Sequence, residues 1–180
     1  TFFLLCVKVT HKGTGKEGNR MTVLEQTAED INTLGRFCGV RDLPALTREA
    51  LQAAYGISRA DVMVLFGGSI LCGGDVLAKA MQNGIAETYI IVGGAGHTTE
   101  TLRRKMHAAY PETETAGLPE AKVFEAYLEN RYGLKADFLE CESTNCGNNI
   151  TFLLRLLEEK HINYSSIILA QDATMQRRME

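Results

Sequence analysis

Asp61-Val62-Met63-Val64-Leu65-Phe66-Gly67-Gly68-Ser69 is the stretch that decides the fold of this chain. Its apolar run is too short for an ordinary helix, does not alternate, and stops on two glycines. That pattern belongs to a strand buried on both faces, as in a parallel sheet. The same arrangement returns three times. Tyr89-Ile90-Ile91-Val92 runs into Gly93-Gly94-Ala95-Gly96-His97, and residues 136–140 run into Glu142-Ser143-Thr144-Asn145-Cys146-Gly147-Asn148-Asn149. Residues 166–170 run into Gln171-Asp172-Ala173-Thr174-Met175-Gln176-Arg177-Arg178.

Helical patterns separate these strands. Residues 75–83 carry Val76, Leu77, Ala80 and Met81 on one side and stop at Gly84. Thr98 or Thr99 opens a second helix that runs to about Tyr110. Pro119 suits a first helical position, and Val123, Phe124, Tyr127 and Leu128 form the stripe that follows, ended by Gly133. Residues 150–160 place Phe152, Leu153, Leu156 and Leu157 inward. Alternating strands and helices predict an α/β fold with parallel strands. All four strands then point one way, and open sheets of this kind bind ligands at the carboxyl ends of their strands.

Upstream, Thr22-Val23-Leu24-Glu25 has the form of a capping box. Leu24, Ala28, Ile31, Leu34 and Cys38 recur at helical spacing before Gly39, and a second short helix spans 47–55 before Gly56. The expected organisation is a helical segment over 21–57 that packs on the core, then the α/β domain over 58–180. Residues 1–20 are read as a non-native or disordered leader: Lys16-Glu17-Gly18 is what a ribosome-binding sequence just before the Met21 codon would encode. Glu180 falls where another helix should start, so a C-terminal portion of the domain is expected to be missing.

Composition narrows the function classes. With 45% hydrophobic and 23% charged residues the chain is an ordinary globular one. A net charge of −3 without a basic block argues against nucleic acid as partner. Five cysteines without a paired spacing suit free thiols in a reducing compartment, hence the cytoplasm, and they form no zinc framework with four scattered histidines. The longest apolar run, from Thr1 to Val9, falls far short of the ~20 residues a membrane span needs.

The candidate site is built from the four loops together. Gly67, Gly68 and Ser69 follow the first strand and Gly93, Gly94, Gly96 and His97 the second. Ser143, Thr144, Asn145 and Asn149 surround the start of the 150–160 helix, where amides and hydroxyls cap free N–H groups and the dipole favours polar ligands. Gln171, Asp172, Thr174 and Arg177 follow the last strand; Arg offers a fork of donors to a carboxylate or phosphate. His97, with a reference pKa of about 6.5, suits acid–base work, and Glu120 either complements its helix dipole or meets a ligand. Plain structural roles compete throughout: tight turns for the glycines, a surface position for His97, packing or capping for Cys146. A nicotinamide site is disfavoured, because the third glycine of a G-x-G-x-x-G pattern is replaced by Thr99.

Two late motifs, Ser143-Thr144-Asn145-Cys146-Gly147-x-Asn149 and Gln171-Asp172-x-Thr174-Met175-Gln176-Arg177-Arg178, resemble the bacterial YdcF/SanA/ElyC domain-of-unknown-function family. Gly93-Gly94-x-Gly96-His97 and Glu120-Ala121 fit it too, and the resemblance covers about residues 21–180. It implies a Rossmann-like three-layer sandwich with a mainly parallel sheet. It also implies a polar pocket that includes Gly67, Gly94, His97, Glu120, Ser143, Asn145, Asn149, Asp172 and Arg177. Asn148 departs from the family pattern, which has Glu there, and this tilts the expectation toward binding rather than turnover. The expected ligand is a nucleotide-like small molecule, S-adenosylmethionine by the resemblance, with no metal. The competing expectation is a hydrolase or transferase acting on a phosphorylated or glycosylated envelope precursor, with His97 and Glu120 as acid and base.

Overall fold

Alternate residues of the strand Ala60–Phe66 (β1) face two different apolar layers. Met63 and Leu65 look toward a layer that contains Leu77, Leu102, Met106, Phe124 and Tyr127. Val62, Val64 and Phe66 look toward one that contains Leu153, Leu157 and Met179. A strand covered on both faces reads as a continuous apolar run because the period of two has no solvent side to display. The computed structural model describes residues 22–179, and the expected leader over 1–20 lies outside them.

The remaining elements are α1 Val23–Cys38, α2 Arg48–Tyr55, α3 Cys72–Asn83, β2 Ala86–Val92, α4 Thr99–Ala109, α5 Glu120–Tyr132, β3 Phe138–Glu140, α6 Cys146–Glu159, β4 Ile167–Ala170 and α7 Gln176–Met179. The sheet has the order β3-β2-β1-β4 and every pairing is parallel. In register, Val62 lies beside Thr88 on one side and Ile167 on the other. Residues of α2, α3, α4 and α5 contribute to the first apolar layer and residues of α6 and α7 to the second, so the architecture is a Rossmann-like three-layer sandwich. Strand order reverses at β1, since the chain steps outward to β2 and β3 and then returns to place β4 on the opposite side.

The helix ends follow local chemistry. Thr22 and Glu25 form the expected capping box at α1, and Thr47 caps α2 through its side chain. Gly56, Gly84 and Gly133 end α2, α3 and α5 in the left-handed conformation, which costs glycine no Cβ clash. Four free cysteines stand among the described residues.

Several expectations need correction. Within 21–57, Leu51 of α2 is buried and Leu43, Leu46 and Ile57 pack against the same apolar layer, whereas α1 buries no residue and Leu24, Ile31 and Leu34 lie on the surface. The α1 stripe is helical in period but is not what anchors the helix: α1 meets α7 through Phe37, outside the stripe, whose carbonyl and ring receive Arg177. Pro119 precedes the first residue of α5 rather than being it, and neither Thr98 nor Thr99 caps α4 with its side chain. Both hydroxyls are drawn instead to a carboxylate at the sheet edge.

Candidate functional site

That carboxylate is Glu120, the first residue of α5, and it is buried. Its backbone N–H donates 2.9 Å to the Gly94 carbonyl, and the Ala121 N–H donates 2.7 Å to that of Gly93, so the start of α5 is sewn onto the end of β2. Thr98 and Thr99 donate their hydroxyls to Glu120 Oε1 at 3.0 and 2.9 Å. Thr99 Oγ1 in turn accepts from the Gly96 N–H at 2.8 Å. A buried carboxylate is costly unless donors meet it, and here one oxygen receives two.

The other oxygen, Oε2, lies against the ends of β1 and β2. A Cβ on Gly67 would stand 2.5 Å from Oε2 and 2.8 Å from the Glu120 Cβ. On Gly93 it would stand 3.0 Å from that Cβ and 3.4 Å from Oε2. Two successive strands end in glycine because Glu120 fills the space their side chains would occupy. Neither glycine has a positive φ, so close approach, not a turn, is the reason.

The β3–α6 loop meets the same edge. Gly94 donates its N–H to the buried Ser143 hydroxyl at 3.1 Å, and a Cβ on Gly94 would come within 2.1 Å of the Ser143 carbonyl oxygen. A Cβ on Gly96 would lie 2.9 Å from the Thr144 carbonyl oxygen. Glu140, the last residue of β3, holds this loop in place: its Oε1 accepts from the N–H groups of Glu142 and Ser143 at 2.6 and 2.9 Å. Its Oε2 is buried and without a partner. Asn145 then caps α6, accepting from the Asn148 N–H at 3.0 Å while its amide donates to Asn148 Oδ1 at 2.7 Å.

On the far side of β1, Gln171 donates 3.1 Å to the Gly67 carbonyl. Asp172 Oδ1 is occupied by the Thr174 N–H at 2.9 Å and the Thr174 hydroxyl at 2.5 Å, while Oδ2 lies 3.7 Å from where a Gly68 Cβ would be. Gln176 ties the turn back to β4, accepting from the Gln171 N–H and donating to the Leu169 carbonyl.

The contacts thus form one strip along the carboxyl edge: Gln171 and Asp172, then Gly67 and Gly68, Glu120, Gly93 and Gly94, Ser143 and Thr144. Ser69 flanks it and accepts from Lys105 Nζ at 3.2 Å. His97 is exposed on the β2–α4 loop, and Asn149 is part-buried in the first turn of α6. Arg177 is turned elsewhere: its Nε donates 2.5 Å to the Phe37 carbonyl and its guanidinium stacks 4.6 Å from the centre of the Phe37 ring. It joins α7 to α1, not to the strip.

Thr98, Thr99 and Glu140 were not among the residues singled out by sequence. The threonines looked like caps; an acid ending an apolar strand was the available sign for Glu140. Burial pushes the Cys141 thiol up from its ordinary value, so it is a poor thiolate nucleophile. A shallow hollow of about 340 Å³ beside His107 and residues 111–116 belongs to the α4–α5 connector and contains none of the expected site residues.

No protein-family model matches the chain. Among the described residues no helix is long and apolar enough to cross a membrane, and no group of three or more His, Cys, Asp or Glu is placed to hold a metal ion.

Proposed function

We propose that this chain binds a nucleotide-like small molecule along the carboxyl edge of its sheet, as a cytoplasmic relative of the YdcF/SanA/ElyC family that its loops resemble. S-adenosylmethionine is the named candidate. The observation that carries this is Glu120. Core packing gives no reason to bury a carboxylate between two strand ends, hold one oxygen with two hydroxyls and clear side chains from around the other. Its place beside the strand-order reversal agrees with where such sheets bind ligands.

The residues fit the cationic part of S-adenosylmethionine. Glu120 and Asp172 each keep one carboxylate oxygen without a protein partner among the described residues, which suits an ammonium or sulfonium centre or sugar hydroxyls. Arg177, expected to take the ligand carboxylate, is committed to Phe37, so that role falls to amides and backbone N–H groups of the loops. Calorimetry of the whole chain with S-adenosylmethionine tests this: the expected result is saturable binding, weakened at least about tenfold in Glu120→Gln, the loss of one hydrogen bond to a charged group. Absence of binding by the wild type removes this ligand.

The second reading is an enzyme acting on a phosphorylated or glycosylated envelope precursor. What favours it is that His97 lies one residue before the threonines that hold Glu120 and is exposed on the β2–α4 loop. Turnover of such a precursor abolished in His97→Ala and Glu120→Gln, with folding intact, would support it; unchanged turnover would remove those two roles.

A further inference from the structure

Helix α1 turns its apolar side outward. Val23, Leu24, Ile31, Leu34 and Phe37 are between 61% and 82% exposed, whereas the side that is partly covered carries Ala28, Asn32 and Gly35. A helix on a globular protein ordinarily does the reverse. Packing of an amphipathic face supplies most of a helix's stability in a protein, yet none of the 16 residues of α1 is buried. Its C-terminal end is tied to α7 by Arg177, on the Phe37 carbonyl and ring.

The spacing of the exposed residues fits another helix. Leu24, Thr27, Ile31, Leu34 and Cys38 follow one another at steps of three, four, three and four, the a and d seam of two heptads. Charge then selects the partner. The first half of α1 carries Glu25, Glu29 and Asp30, while its far end carries Arg36 and has Arg177 beside it. A second copy laid antiparallel brings acidic half to basic end twice over, and a parallel copy sets like against like. The helix dipoles favour the same antiparallel choice. In the pairing that sets Ile31 against Leu34 of the second copy, Thr27 meets Cys38 of that copy. Asp30 then comes to the flank on which the Arg177 of that copy lies over Phe37. An anionic membrane surface fits less well, since interfacial helices carry Lys and Arg on the polar face, and α1 has three acids to one Arg. Covering roughly 100 Å² of each of the five exposed side chains, in both copies, removes about 1,000 Å² from water, the level at which a specific interface begins.

We infer that α1 is a self-association helix: two copies of this chain pair antiparallel along the seam from Leu24 to Cys38. The pairing is independent of the ligand proposed for the sheet edge.

Sedimentation velocity of the full chain tests this, in a concentration series reaching about 100 μM because an interface near 1,000 Å² holds weakly. The expected result is a monomer–dimer equilibrium. Ile31→Gln leaves the core untouched, since Ile31 is exposed, and should raise the dissociation constant at least about tenfold through the loss of a buried aliphatic side chain. Asp30→Lys should weaken the dimer at low salt and do so less at high salt. In Thr27→Cys, mild oxidation should link position 27 of one copy to Cys38 of the other, as located by peptide mass spectrometry. A chain that stays monomeric throughout the series overturns the inference, as does a dimer whose dissociation constant is unchanged in Ile31→Gln. Cys38 linked to Cys38 in the wild type would mark a parallel pair and overturn the orientation. Monomers that bind phosphatidylcholine vesicles, and lose that binding in Ile31→Gln, would assign the stripe to a membrane surface and overturn the inference as well.

Discussion

Gly94→Ala is the most demanding perturbation of the sheet edge. The added methyl would lie 2.1 Å from the Ser143 carbonyl oxygen, 2.7 Å from the Ser143 nitrogen and 2.8 Å from the Cys141 carbonyl oxygen. All three are backbone atoms, so no side-chain rotation relieves the clash and the β3–α6 loop must retreat by about 1.4 Å to regain ordinary contact near 3.5 Å. Retreat breaks the buried bond from the Gly94 N–H to Ser143 Oγ and distorts the two bonds that Glu140 receives from that loop. Leaving a buried polar group unmet costs roughly 1–3 kcal/mol, and forcing an extra methyl into packed space costs about 1–3 kcal/mol. The expected loss is about 3 kcal/mol, which for a chain of this size lowers Tm by roughly 6–12 °C. Thermal and urea unfolding followed by circular dichroism measure it. A Gly94→Ala protein within about 0.5 kcal/mol of wild type, the ordinary scatter of surface changes, would refute the tight apposition of the two loops.

Three further outcomes follow from the same geometry. Gly67→Ala places a methyl 2.5 Å from Glu120 Oε2 and should displace that carboxylate, weakening S-adenosylmethionine binding measured by calorimetry by more than about tenfold while far-ultraviolet circular dichroism stays native. The N–H and hydroxyl groups of Ser165 and Ser166 hold the Asp61 carboxyl at about 2, below its usual range, so the stabilisation it gives is present above the unfolded value near 4 and is lost as pH falls toward 2. Asp61→Asn should unfold earlier at neutral pH and show a flatter acid branch in urea midpoints; identical acid branches would refute this. Burial, aided by its bond to Asp75, pushes the Tyr127 hydroxyl well above the ordinary tyrosine range, so its stabilisation holds below about pH 10 and declines as pH rises beyond it. Tyr127→Phe should make the alkaline branch shallower, and alkaline branches that coincide in wild type and Tyr127→Phe would count against it.

The strands were legible because burial on both faces leaves an unbroken apolar run, as in residues 62–66. Their first residues were not: Ala86, Glu87 and Thr88 belong to β2 although only tertiary pairing, beginning with Ala60 beside Ala86, recruits them. The α1 stripe showed the opposite limit. Period 3.6 is a property of the helix, whereas burial needs a partner surface, and Leu24, Ile31 and Leu34 meet none among the described residues. At the candidate site, sequence marked the glycines and Glu120 separately. Their relation, one carboxylate occupying the room of two absent side chains, requires strand ends 26 residues apart to be neighbours, which no local pattern encodes. Arg177 shows a related limit: its sequence position after β4 is compatible with either the strip or α1, and its guanidinium lies on the Phe37 ring and carbonyl.

The central position of β1 also bears on how the chain is made. Its link to the β4 side, through Asp61 and Ser166, spans 105 residues. At a synthesis rate of about 5–20 residues per second, the most apolar strand leaves the ribosome with one bare edge for roughly 5–20 s. An unpaired edge of that kind is a template for pairing with other chains, so the nascent chain is most exposed to misassociation during that interval. Holding chaperones would act there.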